Sequence, residues 1–106
     1  MHSTLIVARM RPEYEEQVGK LFGEFDKTDM PHHMGTRRRQ LFKYQGLYFH
    51  LQDFDTDGGG ELIEQAKTDP RFVAISADLR PFIEPYDPAW ASPKDAMATR
   101  FYHWQS

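Results

Sequence analysis

Arg39 and His50 are the pair in this sequence best suited to act together on a small molecule. They lie in two strand-like runs, Thr36–Tyr44 and Leu47–Asp53, on either side of Gln45-Gly46. If Gln45 and Gly46 form a two-residue turn, Tyr44 faces Leu47, Lys43 faces Tyr48, Leu41 faces His50 and Arg39 faces Gln52. Side chains alternate along strands, so Arg39, Leu41, Tyr48 and His50 then project from one face. Arg39 and His50 become diagonal neighbours, with backbones roughly 7–8 Å apart. A guanidinium and an imidazole on one apolar wall suit a small, oxygen-rich molecule, the first to hold it and the second to deprotonate it. A slip of one residue would send His50 to the opposite face, so the pair depends on the register.

Arg39 ends the run Arg37-Arg38-Arg39. Three consecutive strand residues cannot all point outward. At least one guanidinium must point inward, where it needs a carboxylate or an anionic ligand. Asp26, four residues after Phe22 and at the margin of a helical apolar stripe, is the internal partner at hand. A guanidinium so held keeps donors for a carbonyl or enolate oxygen. The other histidines carry less: His2 is terminal, His32-His33 is an adjacent loop pair with poor ligand geometry, and the facing of His103 stays open.

One metal pattern is complete. Asp53, Asp55, Asp57, Gly58 and Glu64 satisfy the spacing of a calcium loop. A strand leads into it where a helix is required, Gly60 occupies the apolar bridging position, and there is no second copy. An acidic turn ahead of a helix at Glu61 accounts for the same residues. No phosphate-binding glycine loop, serine elbow or nucleotide fingerprint occurs.

The elements that must position these residues follow from periodicity. Leu5-Ile6-Val7-Ala8 within Ser3–Met10 reads as a buried strand. Pro12 opens a helix whose stripe is Tyr14, Val18, Leu21, Phe22 and Phe25, ending before Pro31. After the hairpin, Asp53–Gly60 is an acidic turn and Glu61–Lys67 a short amphipathic helix. Phe72, Ile75, Leu79 and Ile83 recur at helical spacing until Pro81, Pro85 and Pro88 break the pattern. Thr99–Trp104 alternates and reads as the last strand. The order is that of an α+β, ferredoxin-like β-α-β-β-α-β fold, with a four-stranded antiparallel sheet and helices on one face. The other face carries Phe42, Tyr44, Leu47, Phe49 and Leu51, which predicts a homodimer.

The 106 residues form one domain, 1–106. A net charge of −3 argues against nucleic acid as a partner. No apolar run spans a bilayer and Met1–Arg11 lacks a signal-peptide layout, so the expectation is a cytoplasmic protein without a membrane partner. Zero cysteines exclude disulfides, thiolate nucleophiles and thiolate zinc sites. Eight Phe, five Tyr and two Trp would fill a core or line a cavity for a flat or polyenolic ligand, and composition does not choose.

Along nearly its whole length the chain resembles the small aromatic polyketide cyclases of the tetracenomycin-cyclase family, which serve type II synthases. The likeness runs through Arg9-Met10, Phe25-Asp26 with Pro31, Gly35 before Arg37-Arg38-Arg39, Leu41-Phe42, and Leu47-Tyr48 with His50-Leu51. It continues in Pro70, Phe72, Pro85-Tyr86, Trp90, Lys94-Asp95 and Phe101-Tyr102 with Trp104. The resemblance implies a dimeric α+β barrel. It implies polar cavity residues at Asp26, Arg39 and His50. Where the family pattern has a histidine beside the aspartate, this chain has Phe25, and His103 stands where a smaller polar residue is expected.

What the resemblance implies chemically is an aldol condensation and dehydration within a poly-β-ketone, with no cofactor or metal. His50 would be general base or proton shuttle, Arg39 would stabilise enolate or alkoxide charge, and Asp26 would orient Arg39 or assist dehydration. Phe22, Phe25, Tyr48 and Trp104 would form the cavity wall. The partners implied are an aromatic polyketide intermediate and contact with an acyl carrier protein or the synthase. Two competing functions stay open: a cofactor-free, quinone-forming monooxygenase of the same fold, and a non-catalytic polyketide-binding subunit.

Overall fold

The computed structural model describes residues 2–55, 68–90 and 93–106. The expected helix Glu61–Lys67 and most of the calcium-loop pattern lie outside these residues. Asp53 and Asp55, at the start of that pattern, are already engaged. Asp53 accepts from Ser3 Oγ at 2.6 Å and Arg38 Nε at 2.9 Å, and Asp55 accepts from Arg37 at 3.0 Å.

Strand β1 (His2–Met10) leads through a 3-10 turn, Pro12–Tyr14, into helix α1 (Glu15–Phe25). Proline in the first turn and Glu13, Glu15 and Glu16 near the positive end of the dipole favour a helix here. Its buried residues Val18, Phe22 and Phe25 recur one and two turns apart, so a single face meets the sheet. Thr28 ends it: its hydroxyl donates to the Phe25 carbonyl at 2.7 Å and accepts from the Met30 amide at 3.2 Å. The same side chain therefore joins α1 to the short helix α2 (Met30–His33).

Strands β2 (Thr36–Tyr44) and β3 (Leu47–Phe54) form the hairpin in the expected register, with Arg39 opposite Gln52 and Leu41 opposite His50. The turn has positive φ at both Gln45 (47°) and Gly46 (80°), whose twist matches that of paired strands. An irregularity between Thr36 and Arg38 lets Arg37 reach the exposed carboxylate of Asp55 and Arg38 the buried one of Asp53, while Arg39 turns inward. Helix α3 (Pro70–Leu79) starts at Asp69, whose side chain accepts from the Arg71 amide at 2.9 Å. Asp69-Pro70 is thus a helix start, and no helix crosses it.

With β4 at Ile83–Pro85, the sheet is antiparallel in the order β2-β3-β1-β4. One prediction needs correcting. The fourth strand is Ile83–Pro85, paired with Ala8–Met10, and not Thr99–Trp104. Its edge position tolerates Pro85, which has no amide to donate. Thr99–Trp104 has no regular structure, and Phe101 is 97 % and Trp104 71 % exposed. Its alternation indicates a segment suited to a half-covered surface, yet no described residue of its own chain covers it. Ile83, expected on a helix, belongs to β4.

Val18, Phe22, Phe25 and Ile75 from the helices pack with Ala8, Met10, Tyr48 and Phe54 of the sheet. On the opposite sheet face Phe42 and Tyr44 are exposed, as the alternation predicts. Among the described residues no helix is long and apolar enough to cross a membrane.

Candidate active site

Between the sheet and helices α1 and α3 lies a cavity of about 710 Å³. That volume is within the range of small-molecule sites. Its sheet wall includes Ile6, Ala8, Tyr48, His50 and Gln52, and Phe22 and Phe25 close it from α1.

Arg39 is the hub. Its side chain is 8 % exposed while that of Asp26 is 37 % exposed, so a buried cation is held by a carboxylate that still meets water. Arg39 Nε donates to Asp26 at 3.0 and 3.1 Å, and Nη2 approaches Asp26 Oδ1 at 2.9 Å. This two-point grip fixes the plane of the guanidinium. From Nη1 it donates to His50 Nε2 at 2.8 Å and Gln52 Oε1 at 3.0 Å. Phe22 and Phe25 face the cation, with ring centroids 5.0 and 5.5 Å from Cζ. Phe25, where the family pattern has a histidine, contributes an apolar wall and a ring face to Arg39.

The network settles the form of His50. A guanidinium only donates, so His50 Nε2 must be an unprotonated acceptor and the ring proton sits on Nδ1. Burial pushes the His50 pKa down from 6.5 to about 3, and the positive charge of Arg39 adds to the effect. His50 is neutral at physiological pH, wedged edge-on between Phe22 at 5.0 Å and Tyr48 at 6.2 Å. Burial likewise pushes the Tyr48 phenol well above its ordinary value, so it remains a neutral hydroxyl.

Of the five N–H bonds of Arg39, Asp26 takes two and His50 and Gln52 take one each, which leaves one on Nη2. The result is an apolar cavity whose lining includes four residues with donors to spare, Arg39, His50, Gln52 and Tyr48. Carbonyl and enolate oxygens complement such a lining.

A family model described as polyketide synthesis cyclase matches residues 2–105. The chain belongs to this family. It is 37% identical over 103 residues to tetracenomycin F2 cyclase of Streptomyces glaucescens, covering 97% of this chain and 94% of that one. The crystal structure of that type II polyketide cyclase superposes with a TM-score of 0.92, covering 100% of this chain and 99% of the other. A polyketide synthase named CurG, from Streptomyces cyaneus, is 37% identical over 106 residues, covering 99% of this chain and 98% of its own. An uncharacterized protein of Streptomyces coelicolor is 44% identical over 107 residues, covering 99% and 96%.

Within this polyketide-cyclase fold Arg39, His50 and Asp26 come together, and Phe22, Phe25 and Tyr48 stand against them. Trp104 does not join them in its own chain. It is exposed, and the tryptophan that lines the cavity is Trp90. His103 is also exposed, with its Nδ1 2.9 Å from Arg100. Gln52 was missed as a site residue, although its place opposite Arg39 followed from the register. The face of α3 that carries Phe72, Ile75, Ser76, Leu79 and Arg80 was missed too. Its helical spacing signalled burial, and spacing alone does not separate packing from cavity lining.

Proposed function

We propose that the chain is a cytoplasmic aromatic polyketide cyclase that closes a ring by intramolecular aldol condensation and dehydration. The observation that carries this reading is a cavity of about 710 Å³ with apolar walls and one cluster of donors centred on Arg39. A poly-β-ketone is its chemical complement, with an apolar backbone, many carbonyl acceptors and acidic α-carbons. An enol carbon of the bound chain attacks a carbonyl carbon further along. The new C–C bond leaves charge on that carbonyl oxygen, which takes up the enol proton; loss of water then gives an unsaturated ring ketone, and enolisation of the remaining ring carbonyls makes the ring aromatic.

The remaining N–H of Arg39 and the Nδ1–H of His50 would stabilise the developing oxyanion, and preorganised donors in a dry site are effective there. His50 acts in this scheme as a donor, in place of the general base or proton shuttle that the resemblance implies, because Arg39 occupies its lone pair. Asp26 holds Arg39, and Phe22, Phe25 and Tyr48 restrict how the chain folds. The scheme needs no cofactor or metal.

The test is product profiling with a minimal aromatic polyketide synthase, alone, with the wild-type protein, and with His50→Ala. One redirected cyclic product is expected with the wild type, and an unchanged spontaneous mixture would overturn the assignment. The engaged lone pair of His50 favours one second reading, a non-catalytic template that directs spontaneous cyclisation by shape. Redirection that survives His50→Ala at undiminished rate would select it. Oxygen uptake matching product formation would instead indicate the monooxygenase.

We propose further that two copies pair. Phe42 and Tyr44 on the outer sheet face, and Phe101, Tyr102 and Trp104 on the tail, are exposed aromatic surface that a second copy would cover. Light scattering should give twice the 12.5 kDa of one chain. Phe42→Lys with Tyr44→Lys should shift the protein toward the monomer, and a wild type that is monomeric at all concentrations would refute the pairing.

A further inference from the structure

The cavity carries a second cation that the ring-closing scheme does not use. On α3, Phe72, Ile75 and Leu79 line the cavity along the more buried ridge. Val73, Ser76 and Arg80, each one position further on, also line it, and Val73 and Arg80 are exposed. This second ridge therefore forms part of the rim, running about 10 Å along the helix axis from Val73 to Arg80. Ser76 precedes Arg80 by four residues, so its hydroxyl and the guanidinium occupy one strip of helix surface.

The charge balance of the two arginines differs. Arg39 is matched by Asp26. For Arg80 no carboxylate partner stands among the described residues, and no described Asp or Glu lines the cavity. Among the described residues of the cavity, Arg80 is thus the positive charge with no carboxylate beside it, and it stands at the mouth. A neutral ligand would have no use for it. A ligand that is apolar and carbonyl-rich along its length and anionic at one end would use both the rim and the donors around Arg39.

We propose that Arg80 and Ser76 form an anion-binding rim that grips the charged end of the polyketide and orients the chain. This rests on the polyketide reading above and deepens it. The anion is an oxyanion suited to a guanidinium, either the carboxylate of a released chain or the phosphodiester of a carrier protein's pantetheine arm. The charged end then stays at the mouth and the opposite end enters first. The distance from the rim to Arg39 determines which carbonyl meets the donors, so Arg80 helps to select the ring that closes. A cation at the C-terminal end of α3 also opposes the helix dipole, a structural role that would not discriminate between ligands.

The test is calorimetric titration with two probes of one ring system: rhein, a dihydroxyanthraquinone carboxylic acid, and aloe-emodin, its neutral hydroxymethyl analogue. Wild type should bind rhein roughly three- to tenfold more tightly, as expected for a partly exposed charged hydrogen bond. Arg80→Gln should abolish that preference while leaving aloe-emodin affinity unchanged. Ser76→Ala should reduce it, and Arg80→Lys should keep most of it. Phosphopantetheine competing with rhein in an Arg80-dependent way would assign the anion to a carrier arm, and rhein preference without such competition would assign it to the chain's own carboxylate. Equal binding of the two anthraquinones, or a preference that survives Arg80→Gln, would overturn the rim proposal alone. If neither binds the wild type, the polyketide reading fails with it. A merely structural Arg80 would lower the melting temperature and both affinities together, leaving their ratio intact.

Discussion

Arg39→Met should reduce ring-forming activity by about 10²–10³-fold, the usual effect of removing a preorganised oxyanion donor, while the protein still folds. Methionine retains an unbranched apolar stem between Phe22 and Phe25, so the packing around the cation survives. What disappears is the group that places every other polar atom on the cavity wall. His50 Nε2 and Gln52 Oε1 each lose their donor, at a cost of about 1–3 kcal/mol per buried acceptor. Asp26 suffers less, because its 37 % exposed side chain can exchange the guanidinium for water. The melting temperature should therefore fall moderately while product redirection collapses. Product ratios measured beside thermal melts separate the two effects. Full activity in a folded Arg39→Met protein would remove Arg39 from the chemistry.

Lowering the pH should destabilise the protein through His50, and the sign follows from its depressed pKa. Above about pH 6.5 the imidazole is neutral in both folded and unfolded chains, so its contribution to stability is fully present. Between 6.5 and about 3 the unfolded chain binds a proton that burial and Arg39 deny to the folded one. Stability is therefore lost as pH falls through that window. At about pH 4.5 the loss is on the order of 3 kcal/mol, two units at 1.36 kcal/mol each. His50→Gln keeps an acceptor for Arg39 and cannot titrate, so its stability should fall less over the same range. Urea unfolding of both proteins near neutrality and near pH 4.5 is the measurement, and parallel losses would show that His50 is not held neutral. The same argument predicts no limb near pH 6.5 in the wild-type rate profile. Such a limb, if abolished by His50→Gln, would restore His50 as the base.

How far the sequence reached is clearest at the hairpin. Gln45-Gly46 and the alternation on either side were enough to pair Arg39 with Gln52 and Leu41 with His50, because a two-residue turn leaves one register and strand period then sets the faces. The same reasoning led to Asp26 as the partner of Arg39, since an inward guanidinium needs a carboxylate. It failed at the C terminus. Thr99–Trp104 has the alternation of a strand and Ile83–Pro85 has almost none, yet the latter pairs with β1. Alternation records how a segment would be half covered, not which surface covers it, and a three-residue edge strand is too short to leave a period. Trp104 was placed in the cavity wall by the resemblance and is exposed in its own chain, while Trp90, outside any periodic run, lines the cavity.

The sequence by itself determined the α+β class, the hairpin register and the Asp26–Arg39–His50 grouping, because these depend on local period and on the need to pair a buried charge. Only the tertiary structure decided which nitrogen of His50 carries its proton, that Gln52 completes the network, and that α3 brings Arg80 to the mouth of the cavity. Those outcomes depend on distances between elements remote in sequence, and a hydrogen-bond acceptor is committed only when its donor arrives.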